Sequence, residues 1–169
     1  EIITTPDEID EGTVEINDIR GDVEFENVTF SYCADDNGDK SVISNLSLKL
    51  KAGNTVALVG PSGGGKSTIC SLIPRFYNVQ SGRITVDGID VMDITLDSLR
   101  RNIGMVSQNV FLFDGTVRDN IVYARPDATE EEVIEAAKKA NIHDFILTLD
   151  NGYDTEVGER GVKLSGGQR

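Results

Sequence analysis

The sequence predicts an α/β fold, and two observations lead to that prediction. Residues 55–68, T-V-A-L-V-G-P-S-G-G-G-K-S-T, place a short apolar run, a glycine-rich loop and the start of a helix in direct succession. Before this stretch apolar and polar residues alternate as they do in strands, and after it an apolar stripe recurs with the period of a helix. The 169 residues are about one domain by length and can bury a real core.

Composition narrows the class of protein. Hydrophobic residues make up 38% and charged residues 27%, which is ordinary for a soluble globular domain. The formal charge of −13 argues against nucleic-acid binding, which needs a basic face. No apolar run approaches the roughly 18 to 20 residues of a membrane span, and no signal-peptide pattern opens the sequence. Cys33 and Cys70 match no metal or redox spacing, so we expect free thiols in a reducing compartment.

The first part of the chain is predicted to be a linker followed by strands. Residues 1–22 carry eight carboxylates against Arg20 alone and have no amphipathic period, which indicates a linker or lead-in segment. The alternation that starts at Val23 slips in phase at Glu26-Asn27, so we expect one strand with a bulge there. Further elements are predicted up to Pro74: a polar loop at 33–40, an alternating strand at 43–50, a turn at 51–54, a strand buried on both faces at 56–59 and a helix at 67–73.

The segments after Pro74 are predicted to include two strands of a hairpin, a further strand and three helical pieces. The first of these segments are a hairpin of 83–86 and 89–91 around Asp87-Gly88, a short helix at 96–102, a buried strand at 103–106 and irregular chain at 108–121. The clearest helix covers 127–140, where Thr129 and Glu132 form a capping-box pattern. Its predicted apolar stripe consists of Val133, Ala136, Ala137 and Ala140. A further helical piece is expected at 142–149.

The glycine-rich loop predicts a nucleoside triphosphate site. It fits G-x-x-x-x-G-K-[ST], and its glycines allow successive backbone N–H groups to point at phosphate oxygens near a helix N-terminus. Lys66 can place its charge on the β- and γ-phosphates, and the Ser67 hydroxyl can bind Mg²⁺. A glycine-rich turn with an unrelated Lys-Ser pair is the alternative, and it would not require the strand–loop–helix order. The predicted ATP-binding residues of the loop are Gly60, Pro61, Ser62, Gly63, Gly64, Gly65, Lys66, Ser67 and Thr68.

A second motif gives the chain its family resemblance. Residues 164–168, L-S-G-G-Q, match the signature of ATP-binding cassette (ABC) proteins, about a hundred residues after the phosphate loop. Val106-Ser107-Gln108 resembles the family's glutamine loop, and 113–121 and 155–161 resemble segments of cassette exporters. From Asp22 onwards the chain is similar to the nucleotide-binding domain of a bacterial-type exporter.

The resemblance implies an architecture. It is a P-loop NTPase (RecA-like) core with an N-terminal antiparallel β-subdomain and a helical signature subdomain, in which the C-terminal part of the core sheet is missing. On this interpretation residues 1–21 link to a preceding membrane domain, 22–106 form the nucleotide-binding core, and 107–169 hold the glutamine loop, the helical subdomain and the signature.

The resemblance also assigns roles to single residues. Tyr32 would stack on adenine, although it could instead continue the core stripe of the preceding strand. Gln108 would reach Mg²⁺ and the attacking water, although it could be an ordinary loop amide. Lys66 and Gln108 are therefore the predicted catalytic residues, and Ser67 and Gln108 the predicted metal ligands.

The signature is expected to act on a second nucleotide-binding domain. Its predicted residues are Leu164, Ser165, Gly166, Gly167 and Gln168. As a helix N-cap this segment could be purely structural, but N–H groups at a helix N-terminus also form an anion site. In the family that site closes over ATP held by the partner domain, so two identical or different domains would face each other head to tail.

The sequence departs from the family pattern in two ways. Gly64 stands where serine is commoner. The strand ending in Asp-Glu and the switch histidine that follow the signature in the family lie beyond Arg169, and His143 is expected to be an ordinary surface histidine. We therefore expect this polypeptide to bind MgATP, to turn it over negligibly and to be marginally stable, since its core sheet would keep unpaired edges.

The phosphate loop and the signature motif distinguish between several possible functions. The leading prediction is the ATP-hydrolysing domain of an ABC exporter on the cytoplasmic side of the cell membrane, with ATP and Mg²⁺ as cofactors and a transmembrane domain as partner. The main alternative is a nucleotide-binding fragment or regulatory cassette without hydrolysis. A DNA-repair cassette would separate the two motifs by a long coiled coil, and a phosphate-loop kinase or GTPase would lack S-G-G-Q.

Overall fold

The structure divides into two compact units. The computed structural model of the chain describes residues 9–32, 41–107, 110–158, 164, 165 and 167. The first unit ends at Gly104 and the second begins at Met105, and each has its own hydrophobic core. The predicted boundary after residue 106 stays a prediction. Among the described residues, no helix is both long and apolar enough to cross a bilayer.

An antiparallel sheet of four strands forms the first unit's framework. Its strands are β1 (Val23–Phe30), β2 (Ile43–Leu50), β3 (Ser81–Val86) and β4 (Ile89–Asp90), in the spatial order β2-β1-β3-β4. The predicted strand that starts at Val23 and the strand at 43–50 are confirmed, as is the hairpin that turns at Asp87-Gly88 with positive φ at both residues. Asn and Asp tolerate that backbone region better than other non-glycine residues, which explains Asp87.

The predicted bulge at Glu26-Asn27 is confirmed. Asn27 has a φ of 49°, and the pairing of β1 with β2 shifts register between Phe25 and Val28. Gly82 of β3 lies against the bulge, where a Cβ would come within 2.4 Å of the Glu26 carbonyl oxygen. The extra residue brings Phe25, Val28 and Phe30 onto the same buried face.

Two helices pack on this buried face. They are α1 (Lys66–Leu72), which begins directly after the glycine-rich loop, and α2 (Leu96–Arg101). Both helices were predicted within one residue of these bounds. Leu72 from α1 and Leu99 from α2 join Phe25 and Val28 in the core, and each of these four side chains is at most 1% exposed.

Two predicted strands are wrong. Residues 56–59 and 103–106 belong to no strand among the described residues. Val56 is 50% exposed, Val59 89% and Val106 93%, so these segments are not buried on both faces as predicted. A strand needs a neighbour to complete its hydrogen bonds, and no described segment pairs with either run.

The second unit is helical. Its helices are α3 (Val117–Val122), α4 (Glu130–Lys139) and α5 (His143–Ile146), followed by a 3₁₀ turn at Gly152–Asp154. The predicted helices at 127–140 and 142–149 are confirmed, with shorter bounds. The prediction of irregular chain through residue 121 is wrong, because α3 begins at Val117.

The capping-box prediction for α4 is confirmed. The Thr129 hydroxyl accepts the Glu132 N–H, and the Glu132 carboxylate accepts the Thr129 N–H. The predicted apolar stripe is only half right, because Val133 and Ala137 are buried whereas Ala136 and Ala140 are exposed. Ile146 and Tyr153 complete this core, so the stripe is narrower than alanine content alone suggests.

Candidate functional site

The glycine-rich loop forms a tight turn between the run at 56–59 and α1. Gly60, Gly63 and Gly65 have φ values of 155°, 80° and 79°, and Gly65 is the N-cap of α1. Only glycine adopts such values without strain. The Gly64 N–H donates to the Pro61 carbonyl at 3.2 Å, which closes the turn.

Space at Gly65 is tight, in addition to its positive φ. The residue is buried, and a Cβ there would lie 3.1 Å from the Val42 carbonyl oxygen, just before β2 begins. The loop is therefore anchored on the sheet at the point where the helix begins. This fixes the direction in which the first N–H groups of α1 point.

The Lys66 side chain curls back into the loop. Its Nζ donates to the carbonyl oxygens of Gly60 at 2.9 Å and Pro61 at 2.6 Å. The ammonium group is thus held over the turn that the glycines make, beside the start of α1. A cation in this position, next to the positive end of a helix, suits an anionic ligand.

Tyr32 meets the phosphate-loop helix. Its hydroxyl group and the Thr68 Oγ1 lie 2.8 Å apart, and Thr68 is buried in the first turn of α1. Two residues that were singled out independently, one before and one within the loop, are thereby brought together. Either hydroxyl can be the donor.

The aromatic ring of Tyr32 lies outside the core. It is 53% exposed, whereas Phe30 is 2% exposed, so Tyr32 does not continue the buried stripe. Its ring stands edge-on to Phe30 and to Tyr77, each at a centroid distance of 5.0 Å. An exposed ring that is held upright in this way, beside the phosphate loop, can serve as a platform for a flat base.

Magnesium can be accommodated by the chemistry of the loop. Ser67 is exposed at the first turn of α1, next to Lys66. Mg²⁺ keeps several waters and takes its remaining ligands from phosphates and one or two protein oxygens, so a single hydroxyl is a sufficient donor here. The described residues contain no group of three or more His, Cys, Asp or Glu side chains that could hold a metal ion alone.

The remaining predicted site residues belong to the second unit. Gln108, Gly166 and Gln168 lie outside the described residues. Leu164 is half-buried, and Ser165 and Gly167 are exposed. Their roles stay predictions.

His143 is not the ordinary surface histidine that was expected. The residue is half-buried rather than on the open surface, and its Nδ1 lies 2.8 Å from the Tyr153 hydroxyl. Burial is the main cause that raises the pKa of Tyr153 above 10.0, with Glu130 adding to it. The Arg118 guanidinium lies over the ring of Tyr153, at 5.7 Å, and pairs with Glu130 and Asp154. His143 is thus part of the polar edge of the second core.

Sequence reasoning also missed Arg75. Its side chain is 3% exposed beyond the C-terminal end of α1, and its Nη1 donates to the carbonyl oxygens of Val91 and Ile94. The only signal in the sequence is that Arg75 follows Leu72, Ile73 and Pro74 directly, and a charged residue needs partners if it is buried beside them.

A comparison with family models gives one match. Residues 43–169 match the family described as ABC transporter. The matched range includes the phosphate loop, the glutamine at 108 and the L-S-G-G-Q segment.

The chain is similar to curated bacterial export proteins. The chain is 56% identical over 156 residues to YgaD of Bacillus subtilis, named as a multidrug export ATP-binding/permease protein, covering 92% of this chain and 26% of that one. A multidrug export ATP-binding/permease protein of Staphylococcus aureus strain NCTC 8325 is 53% identical over 150 residues. The match covers 89% of this chain and 25% of that protein.

A solved structure of a bacterial Atm1-family ABC exporter with ATP bound superposes with a TM-score of 0.88 at 46% identity. It covers 99% of this chain and 29% of that chain. The chain therefore spans about a quarter of the length of the curated relatives it matches.

Proposed function

This chain belongs to the ABC transporter family, and from that membership we propose that it is the ATP-binding domain of an exporter. Its fold is a P-loop NTPase core with an antiparallel β part and a helical part. Members of the family are generally ATPases. The proposal is that ATP binding and hydrolysis by this domain drive export of a substrate across a membrane.

The observation that carries the proposal is the geometry of the phosphate loop. The Lys66 ammonium is held over the loop by two of the loop's own carbonyls, and Tyr32 is tied to the first turn of α1 through Thr68. Phosphates would replace the carbonyls as partners of Lys66, and the base would lie against the Tyr32 ring. The loop and the Tyr32 ring would thus bind the phosphates and the base of the same nucleotide.

The chemical roles follow from this arrangement. The N–H groups of residues 62–68 and the Lys66 charge would bind the β- and γ-phosphates, and the Ser67 oxygen would bind Mg²⁺. Mg²⁺ would neutralise charge that develops on the phosphates during transfer. Gln108 would orient the attacking water, as its position in the family motif implies.

The second half of each site would come from a partner domain. Ser165 and its neighbouring glycines would contact the γ-phosphate bound by the other subunit, so two ATP molecules would lie between two domains. Closure of the pair would be passed to a transmembrane domain, and phosphate release would reopen it. On this proposal the domain lies on the cytoplasmic side of the cell membrane.

Binding of MgATP to wild-type and Lys66→Ala protein tests the proposal. We expect Lys66→Ala to weaken binding by about ten- to a hundredfold, because a charge-assisted hydrogen bond contributes about 1.5–3 kcal/mol. Lys49→Ala is the matched control, since Lys49 is exposed on β2 and pairs with Glu24 instead. Calorimetry or a fluorescent ATP analogue measures both affinities.

Two results would contradict the proposal. One is equal affinity of the wild type and Lys66→Ala for MgATP, and the other is a clear preference for GTP. Phosphate release should be assayed on the same samples. From the 169 residues alone we expect none above background, and release that Lys66→Ala abolishes would mean that a carboxylate within them activates the water.

A further inference from the structure

Residues 10–16, which we name the N-terminal strap, are fixed to the first unit. The N–H groups of Thr13 and Val14 both donate to the Asp93 carbonyl at 2.8 Å, and the Thr95 N–H donates to Val14 at 2.9 Å. The Ser98 hydroxyl accepts the Ile16 N–H and donates to the Ile16 carbonyl. Although this segment has no amphipathic pattern, several backbone hydrogen bonds hold it, and Ile16 packs against the core of the first unit.

Gly12 shows how closely the strap approaches its neighbour. A Cβ at this position would lie 2.2 Å from the Ile94 carbonyl oxygen and 2.7 Å from the Thr95 nitrogen. Backbone atoms cannot give way as a flexible side chain can. Only glycine fits between the strap and residues 94–95, so a side chain at position 12 would force the two segments apart.

Asp10 connects the strap to two other elements. Its carboxylate accepts the Leu96 N–H at 2.8 Å, at the N-terminus of α2, and the Gly12 N–H at 3.1 Å. The same carboxylate forms an ion pair with Arg75, with 3.6 Å between Oδ1 and Nη1. The hydrogen bond from Leu96 is the main cause that lowers the pKa of Asp10, although burial opposes it, so the charge is present at neutral pH.

Arg75 lies at the end of the segment that begins with the phosphate loop. Its backbone N–H donates to the Leu72 carbonyl, the last residue of α1, and its φ is 55°. The side chain is 3% exposed, and its Nε is buried without a hydrogen-bond partner among the described residues. A buried cation of this kind depends on its carboxylate partner.

Arg100 of α2 holds the same end of α1. Its guanidinium donates to the carbonyls of Pro74 at 3.0 Å and Arg75 at 2.9 Å. The C-terminal end of α1 is thus fixed on one side by Arg100 and on the other by Arg75 and the strap. The other end of α1, about 9 Å away at 1.5 Å per residue, carries Lys66 and the phosphate loop.

We propose that Asp10 and Arg75 are positioning residues for nucleotide binding, and that the strap controls the phosphate loop through them. The strap sets the position of Arg75, Arg75 sets the end of α1, and the rigid helix sets the loop at its other end. A change in the position of the strap would pass to the loop by this route. The inference rests on the proposed function, because it concerns the affinity of that site for ATP.

The test is carried out in the full-length protein that carries this sequence, with Asp10→Asn. This change preserves the shape of the side chain and removes its charge. We expect the Kd for a fluorescent ATP analogue with Mg²⁺, and the KM for ATP, to rise about tenfold, while kcat stays within about twofold. Asp10→Glu, which restores the charge, should recover most of the affinity.

Glu24→Gln is the matched control. It removes the carboxylate of an ion pair with Lys49 in the same sheet, which does not involve α1, and it should leave Kd unchanged. A double-mutant cycle with Arg75→Met adds a second criterion. If Asp10 acts through the Arg75 charge, Asp10→Asn should have no further effect on Kd once that charge is gone.

The outcomes separate this inference from the proposed function. Unchanged Kd and KM in Asp10→Asn would overturn it, and so would a lower Tm without any change in affinity. An equal effect of Asp10→Asn with and without Arg75→Met would also overturn it. If the wild type bound no ATP analogue, or if Lys66→Ala bound it as well as the wild type, the proposed function itself would fail.

Discussion

At the scale of single residues, the most informative is Tyr32, because it separates two explanations of one aromatic side chain. A core residue would be buried like Phe30, but Tyr32 is half-exposed and its hydroxyl contacts Thr68 of the phosphate-loop helix. If the ring binds the base, its loss should affect nucleotides and not phosphates. If the ring is a packing residue, its loss should affect stability instead.

Substitution of Tyr32 tests the adenine platform. Tyr32→Ala should weaken MgATP binding by about tenfold, because stacking of a base on an aromatic ring contributes about 1–3 kcal/mol. Tyr32→Phe keeps the ring and should stay within about threefold of the wild type. Magnesium tripolyphosphate, which has no base, should bind equally to all three proteins in a competition assay.

Tyr123→Ala provides the control for Tyr32→Ala. Tyr123 is 62% exposed in the second unit and stacks on Phe113, so its loss removes a comparable ring elsewhere. A loss of tripolyphosphate binding in Tyr32→Ala would show that the substitution disturbs the loop as a whole. The platform would then have no support.

At the scale of elements, the sequence predicted what neighbours in the chain determine. The bulge at Glu26-Asn27, the turn at Asp87-Gly88 and the capping box of α4 depend on a few consecutive residues, and each is where the pattern placed it. The runs at 56–59 and 103–106 have strand-like composition too. Whether they form strands depends on a partner far away in sequence, which no local pattern contains.

The sequence contains a local signal for helix α3, which was not predicted. Thr116 and Asp119 form a full capping box, with hydrogen bonds in both directions, in the same spacing that identified α4. The helix is only six residues long, so its periodicity is too short to recognise. The contacts of Arg75 and Asp10 could not be predicted either, because they join residues that are 65 positions apart.

The β3–β4 hairpin provides a prediction at this scale. Asp87 lies in the turn of this hairpin. Its carboxylate accepts hydrogen bonds from the N–H groups of Arg20, Gly21 and Asp22. Asp87→Asn keeps a residue that tolerates positive φ but weakens these bonds. We expect the free energy of unfolding to fall by about 1–2 kcal/mol, measured by chemical denaturation. Asp93→Asn, at an exposed position nearby, should have little effect.

The contribution of Asp87 should depend on pH. Burial would raise the pKa of this carboxyl, but the three backbone donors, aided by Arg20, outweigh it and hold the pKa below 3.8. A carboxyl whose pKa is lower in the folded protein stabilises it above the unfolded pKa and loses that effect as pH falls through the folded one. The difference between wild type and Asp87→Asn should therefore be constant near neutral pH and shrink below pH 3.8. A difference that grew with acidity would contradict this.

At the scale of the whole molecule, the formal charge of −13 opposes the approach of an anionic nucleotide. The positive groups of the loop act only at short range. Raising the salt concentration from about 50 to 300 mM shortens the Debye length and should speed the association of MgATP, by about two- to threefold in stopped-flow measurements. Association of uncharged adenosine should not respond, and slower association of MgATP in salt would show that local attraction outweighs the overall charge.

The exposed run at 56–59 bears on how such a chain is made. A ribosome delivers the chain from its N-terminus, so Val56 and Val59 emerge before any residue that follows them. While they remain as accessible as they are here, they present a short hydrophobic stretch to solvent, which is the kind of segment that chaperones of the nascent chain bind. We therefore expect correct synthesis to depend on chaperones for as long as residues 56–59 are exposed.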